Sequence, residues 1–141
     1  MDEVRDKRVV LDASALVAWL RREPGWDVVD RALERGVVAS PCMTEVLYSA
    51  VAAGYSAPIA EFFQGLLLRG VVVEPMTEAD CVRSAELVVQ SRGRSRLDRG
   101  PGLSLANSIC IAVAERLGFA VVSGDRHWME YELSVPFLPF R

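Results

Sequence analysis

Three carboxylates of this chain stand where acids can work together. Asp12 follows the apolar run Val9-Val10-Leu11, and Asp125 follows Val121-Val122-Ser123-Gly124. Glu45 lies in the first turns of the segment after Val37-Val38-Ala39. If these runs are strands of one parallel sheet, their carboxyl ends share an edge, where open α/β folds place their sites. Each acid has an ordinary reading alone. Asp12 would cap the next helix, Asp125 would cap a turn at Arg126-His127-Trp128, and Glu45 would be a solvated helix residue. A shared edge favours a joint role. Crowded carboxylates repel one another, and a hard divalent cation offsets that repulsion. Oxygen ligation without His or Cys suits Mg²⁺ or Mn²⁺. Such a centre activates water and stabilises charge on a phosphate, the requirements of phosphodiester cleavage. Ser14 and Ser123 sit beside two of the acids. They would orient metal-bound water or phosphate, or simply cap helices.

The elements that must position these residues are legible as alternating patterns. Val9-Val10-Leu11, Val37-Val38-Ala39, Val71-Val72-Val73 and Ala120-Val121-Val122 read as short strands, the first and last of them buried. Val135 to Leu138 reads as an edge strand, since Pro136 suits only an edge. Between them, helices are expected over 14–22, 26–35, 40–53, 56–69, from Thr77 onward, and from Leu103-Ser104 to Leu117. Ser40-Pro41 is a strong start signal, and Gly36, Gly54, Gly70 and Gly118 are stops. Gly93 to Gly102 reads as a loop rich in Gly, Arg and Pro. Asn107 falls in the first turn of the helix after it. Strands separated by helices imply parallel pairing through right-handed crossovers.

At 141 residues and net charge −3, the chain is one domain without a broad basic face. Any nucleic-acid contact must then come from a local patch. The apolar fraction of 51% suits a packed core. No apolar run reaches the roughly 18 residues of a membrane span. The run from Met1 to Arg8 is charged and lacks the apolar stretch of a signal peptide, so a cytoplasmic location is expected. Cys42, Cys81 and Cys110 read as reduced core residues, and a single histidine, His127, argues against zinc. His127 itself reads as structural or exposed. Nucleotide-binding glycine loops and a G-x-S-x-G elbow are absent. A receiver-like phosphotransfer domain is disfavoured, because no Asp-x-Asp follows the first strand and the only lysine is Lys7.

Four segments together resemble the PIN-domain family. Val9-Val10-Leu11-Asp12-Ala13-Ser14-Ala15-Leu16 is similar to its opening strand, Asp and small hydroxyl residue. Thr44-Glu45-Val46 resembles its second acidic position, Leu103-Ser104-Leu105-Ala106-Asn107-Ser108 its Leu-Ser-Leu-x-Asp segment, and Val122-Ser123-Gly124-Asp125 its closing Thr/Ser-x-Asp. Order and spacing match over nearly the whole chain, and the length looks most like VapC-type toxins. The resemblance implies one PIN-like domain over residues 1–141. Its expected fold is a three-layer α/β sandwich with a central, mainly parallel sheet of four to five strands flanked by helices. It also implies a metal-dependent endoribonuclease, the toxin of a toxin–antitoxin module. Asp12, Glu45, Asn107 and Asp125 would form its catalytic and metal-binding set with Mg²⁺ or Mn²⁺. Expected partners are a cognate antitoxin, an RNA substrate and a second copy of the chain, with no membrane.

One position departs from the pattern. Asn107 stands where the family has Asp, which keeps a ligand oxygen but removes a charge. That shortfall weakens or inactivates the site in the enzyme reading. The alternative is a non-catalytic PIN-like binding module. Arg92, Arg94, Arg96 and Arg99 concentrate positive charge before Asn107 and would touch RNA phosphates, or else form a solvated loop. Trp19, Trp26, Phe62 and Phe63 would offer an apolar surface to a partner, or else belong to the core.

Overall fold

The structure is a computed structural model that describes residues 7–98 and 102–141, with the side chains of 94–98 excepted. Five strands form one sheet: β1 (Val9–Leu11), β2 (Gly36–Ala39), β3 (Val72–Glu74), β4 (Ala120–Ser123) and β5 (Phe137–Pro139). Their order is β3-β2-β1-β4-β5, and every pairing is parallel. Val10 lies between Val37 and Val121, and Leu11 pairs with Val122. The central strands are buried on both faces, which is why they read as unbroken apolar runs rather than alternating ones. β5 sits at the edge as Pro136 requires, with the Pro136 carbonyl accepting a hydrogen bond from Val121 N–H.

Six helices flank the sheet among the described residues: α1 (Ala13–Arg21), α2 (Trp26–Ala32), α3 (Ser40–Ala52), α4 (Ile59–Leu68), α5 (Glu78–Asp98) and α6 (Leu105–Leu117). α6 crosses the middle of the sheet against β1, β2 and β4, and Ser108 to Ala114 are buried there. It also packs on α3 and α5, while α1 touches α2, α3 and β4. The core joins all these elements through Leu11, Leu16, Val38, Val46, Leu87, Ile111 and Trp128. Gly25 has φ +88°, and a Cβ there would lie 2.3 Å from the Phe140 carbonyl oxygen. Only glycine fits the close approach of the last residues to the start of α2.

Several expectations need correction. Residues 93–98 are helical, not loop: α5 runs through Gly93 to Asp98, and residues 99–101 lie outside the described residues. Gly93 costs a helix about 1 kcal/mol, but the Arg and Leu residues around it are good helix formers. The helix expected over 26–35 closes at Ala32 into a 3₁₀ turn, Leu33–Arg35. α4 starts at Ile59, with Pro58 in extended backbone ahead of it. Cys81 is exposed, whereas Cys42 and Cys110 are buried, and all three are free thiols. Cys81 lies on the outward face of α5, beside the exposed Val82.

An ion-paired cap joins α5 to the end of α6. Thr77 N–H donates to Asp80 Oδ2 at 2.9 Å, and Asp80 N–H donates to Thr77 Oγ1 at 3.2 Å, a reciprocal capping box. Arg116 Nε reaches both Asp80 oxygens at 3.0 and 3.1 Å, and its Nη1 reaches Glu74. Burial pushes the Asp80 carboxyl up, but Arg116 and Thr77 together hold it below its ordinary 3.8. A depressed carboxyl contributes stability that is complete above its unfolded pKa and lost as pH falls through the folded value. Asp80→Asn is therefore expected to lower the unfolding free energy by about 2 kcal/mol at pH 7. In denaturant titrations that penalty should shrink as pH falls below the ordinary carboxylate value of 3.8. A penalty that stays constant as pH falls below 3.8 would show that the carboxylate charge is not what holds the cap.

Candidate active site

The site is built where β1 and β4 end side by side. Asp12 N–H closes the pairing by donating to Val122 O at 3.0 Å. Asp12 then stands at the N-cap position of α1, yet its side chain makes no cap hydrogen bond. The residue is only 2% exposed, and its carboxylate turns toward two serines. Ser14 Oγ donates to Asp12 Oδ2 at 2.6 Å, and Ser123 Oγ donates to the same oxygen at 3.0 Å. Each hydroxyl spends its single proton there and accepts from backbone behind it. Gly124 N–H donates to Ser14 and Asp125 N–H to Ser123. The serines are thus neither helix caps nor free groups; they orient one carboxylate oxygen.

The other oxygen, Asp12 Oδ1, is buried without a hydrogen-bond partner. A buried anionic oxygen left unpaired is costly, and such an atom needs an explanation. Burial raises the Asp12 carboxyl above its usual value, and the serine hydrogen bonds only partly oppose this. Glu45, half-buried on α3, is raised first by its own burial and then by the charge of Asp12. The charge of Asp12 thus reaches Glu45, and desolvation is the largest cause of the shift in each. Cys110 lies under them, fully buried; its thiol is pushed up first by its hydrogen bond with Cys42, then by burial and by the charges of Asp12 and Glu45.

Asn107 is reached through the same packing. Cys42, three residues before Glu45, donates its thiol to the Ala106 carbonyl at 3.4 Å, so the first turn of α6 abuts the start of α3. Ser104 caps α6 by accepting from Asn107 N–H at 3.1 Å. Asn107 itself is half-buried beside α3. Asp125 lies on the same rim through its N–H to Ser123, but its carboxylate is hydrogen-bonded to His127 Nδ1. It makes no cap hydrogen bond to the 3₁₀ turn Arg126–Glu130 that follows. Among the described residues, no three His, Cys, Asp or Glu side chains lie close enough to enclose a metal ion.

The donor set still fits a hard cation. Asp12 Oδ1 is an unpartnered buried anion with a second carboxylate in its field, and a cation would relieve both costs. Mg²⁺ keeps several waters and binds through one or two carboxylates, so a closed protein cage is not required.

The remaining sequence candidates are less engaged with the rim. Arg92 is exposed near the end of α5, the side chains of Arg94 and Arg96 fall outside the described ones, and Arg99 lies outside the described residues. Trp19 donates Nε1 to Asp30 and carries the Arg69 guanidinium over its ring, while Arg22 stacks 4.0 Å above Trp26. Phe62 is buried in the core, with Phe63 packed against it. Sequence reasoning missed the contact of His127 with Asp125. Its signal was the spacing of two in a tight turn, where side chains i and i+2 can meet.

The PIN-domain family profile matches residues 9–132. No curated protein sequence matches the chain. Among solved structures, DNA-bound VapBC from Salmonella typhimurium aligns with a TM-score of 0.69 at 14% identity, covering 96% of this chain and 99% of that one. VapBC2 from Rickettsia felis, bound to a DNA fragment from its promoter, aligns at 0.65 and 10%, covering 93% and 97%. A toxin–antitoxin complex from Klebsiella pneumoniae aligns at 0.58 and 17%, covering 83% and 86%. At these identities the likeness is one of fold.

Proposed function

The chain belongs to the PIN-domain family, and from that premise we propose that it is a metal-dependent endoribonuclease, the toxin of a VapBC-type toxin–antitoxin module. The observation that carries the reading is the buried, unpartnered Asp12 Oδ1 beside Glu45 at the carboxyl edge of the sheet. Asp12 and Glu45 would hold Mg²⁺ or Mn²⁺, with Asn107 and Asp125 on the same rim as further ligands, direct or through water. Bound there, the ion supplies an activated water and charge stabilisation for phosphodiester hydrolysis. Ser14 and Ser123 keep Asp12 Oδ2 turned inward, so that Oδ1 is the oxygen left to bind. Burial of Asp12 excludes competing water and strengthens its field.

Cellular partners follow from the same reading. Three of the similar solved structures are toxin–antitoxin complexes, which supports a cognate antitoxin; a tail of that partner over the acidic rim, a homodimer and a cytoplasmic location complete the proposal. Among the described residues, no helix is long and apolar enough to cross a membrane. A second reading, a non-catalytic binding module, draws on Asn107 and on the lack of a three-acid cluster among the described residues.

One experiment separates the two. The purified chain is mixed with a pool of single-stranded RNA in Mn²⁺, in Mg²⁺ and in chelator. The enzyme reading expects cleavage that the chelator abolishes. RNA retained but uncut under both metals would favour the binding module.

A further inference from the structure

We infer that His127 is a positioning residue for the metal-binding rim, holding the carboxylate of Asp125 by an Nδ1–H hydrogen bond. This deepens the nuclease reading and rests on it for its consequence. The contact itself stands in the structure without a metal. His127 Nδ1 is hydrogen-bonded to Asp125 Oδ1 across a single intervening residue. The tautomer follows from the partners. A carboxylate only accepts, so the nitrogen facing it must carry the proton. The opposite nitrogen, Nε2, is buried with no partner. A proton placed on Nε2 would strand a buried N–H and turn a lone pair toward an anion.

The imidazole is fixed from other sides as well. Its side chain is 17% exposed, and the ring meets Tyr131 edge-on at 6.1 Å and 72°. The next residue, Trp128, is fully buried and anchors the turn in the core against Phe137. The backbone of Asp125 is already tied to Asp12 through Ser123. His127 thus removes the remaining freedom, the rotation of the Asp125 carboxylate. One oxygen is committed to the imidazole, and the other is left for the rim. Outer partners of this kind orient the groups that ligands or waters contact.

Two variants and one spectrum test this. His127→Phe keeps a ring against Tyr131 and loses nothing at Nε2, but removes the donor. His127→Asn restores an N–H near the Nδ1 position without the ring. Mn²⁺ affinity is measured by calorimetry and RNA cleavage is followed in parallel. The expected result is a loss of about 10–100-fold in affinity or rate for His127→Phe, with His127→Asn within about threefold of wild type. Melting temperature controls for folding. Equal losses in both variants, or none in either, would overturn the positioning role. The spectrum is the ¹⁵N resonance of the imidazole in the metal-free protein, where a proton on Nδ1 is expected and a proton on Nε2 overturns the inference without reference to activity. Wild type that binds no Mn²⁺ defeats the nuclease reading. Wild type that binds while His127→Phe is unchanged defeats only the role of His127.

Discussion

Replacing Asn107 by Asp is expected to tighten Mn²⁺ binding and raise RNA cleavage by roughly ten- to a hundredfold while leaving the fold unchanged. Asn107 sits in the first turn of α6, which abuts the start of α3 at Cys42 and Ala106. Aspartate there adds one negative charge beside the field already shared by Asp12 and Glu45. Near an effective dielectric of 20, an opposite unit charge at about 4 Å contributes roughly 4 kcal/mol before desolvation is subtracted. Repulsion from the existing carboxylates and desolvation remove much of this, leaving about 1–3 kcal/mol. The cap survives, because it uses the Asn107 backbone N–H rather than its side chain. Titration of Mn²⁺ into both forms, with cleavage of a mixed RNA pool, gives the comparison. Equal affinity and equal cleavage would show that position 107 is not part of the site.

Replacing Asp12 by Asn should move activity and stability in opposite directions. The amide oxygen can still accept from Ser14 and Ser123, so the local hydrogen bonds persist. The charge that would hold the metal is gone, and cleavage should fall by about 10²–10³-fold, the equivalent of about 3–4 kcal/mol. The metal-free protein should nevertheless become more stable, by at most about 1 kcal/mol, because losing a buried charge outweighs leaving amide N–H groups at the partnerless Oδ1 position. The sign follows from the raised Asp12 carboxyl. A carboxyl raised in the folded state loses stability as pH climbs above its unfolded value, so the penalty grows as pH rises out of the ordinary carboxylate range. Wild type should also gain about 2.7 kcal/mol at a Mn²⁺ concentration a hundred times its Kd, and the variant far less. Thermal unfolding with and without Mn²⁺ reads both effects. A metal-free variant that melts lower than wild type would mean that the buried carboxylate is a structural asset, not a ligand held in waiting.

Much of the architecture was legible because burial wrote it in runs. The central Val-rich strands, doubly covered, could be read from composition, whereas β3 is partly exposed at the sheet edge; the parallel pairing followed from the helices between the strands. The edge position of β5 followed from Pro136, whose missing N–H excludes a central place. Asp12 was legible for the same reason: an acid directly after a buried run is held at the sheet edge. The helical stretch over 93–98 was not legible, since Gly93 and its basic neighbours look like a loop unless the helix before them is known to continue. Cys81 was misread because a cysteine beside Val82 looks apolar in sequence, whereas the outward face of α5 exposes both. The rotation of a side chain is harder still. The spacing of two in Ser-Gly-Asp-Arg-His permits the Asp125 carboxylate to meet the imidazole but does not require it, and nothing in the sequence says that both serines spend their protons on Asp12.

Asp12 Oδ1, buried and unpaired, is the proposed seat of a divalent cation. The most direct measurement is anomalous scattering from a crystal of the unmodified chain grown in Mn²⁺. The predicted result is a manganese peak at ligand distance from Asp12 Oδ1, on the side facing Glu45. Manganese found only elsewhere on the molecule, or none at all beside an Asp12 Oδ1 still without a partner, would contradict it.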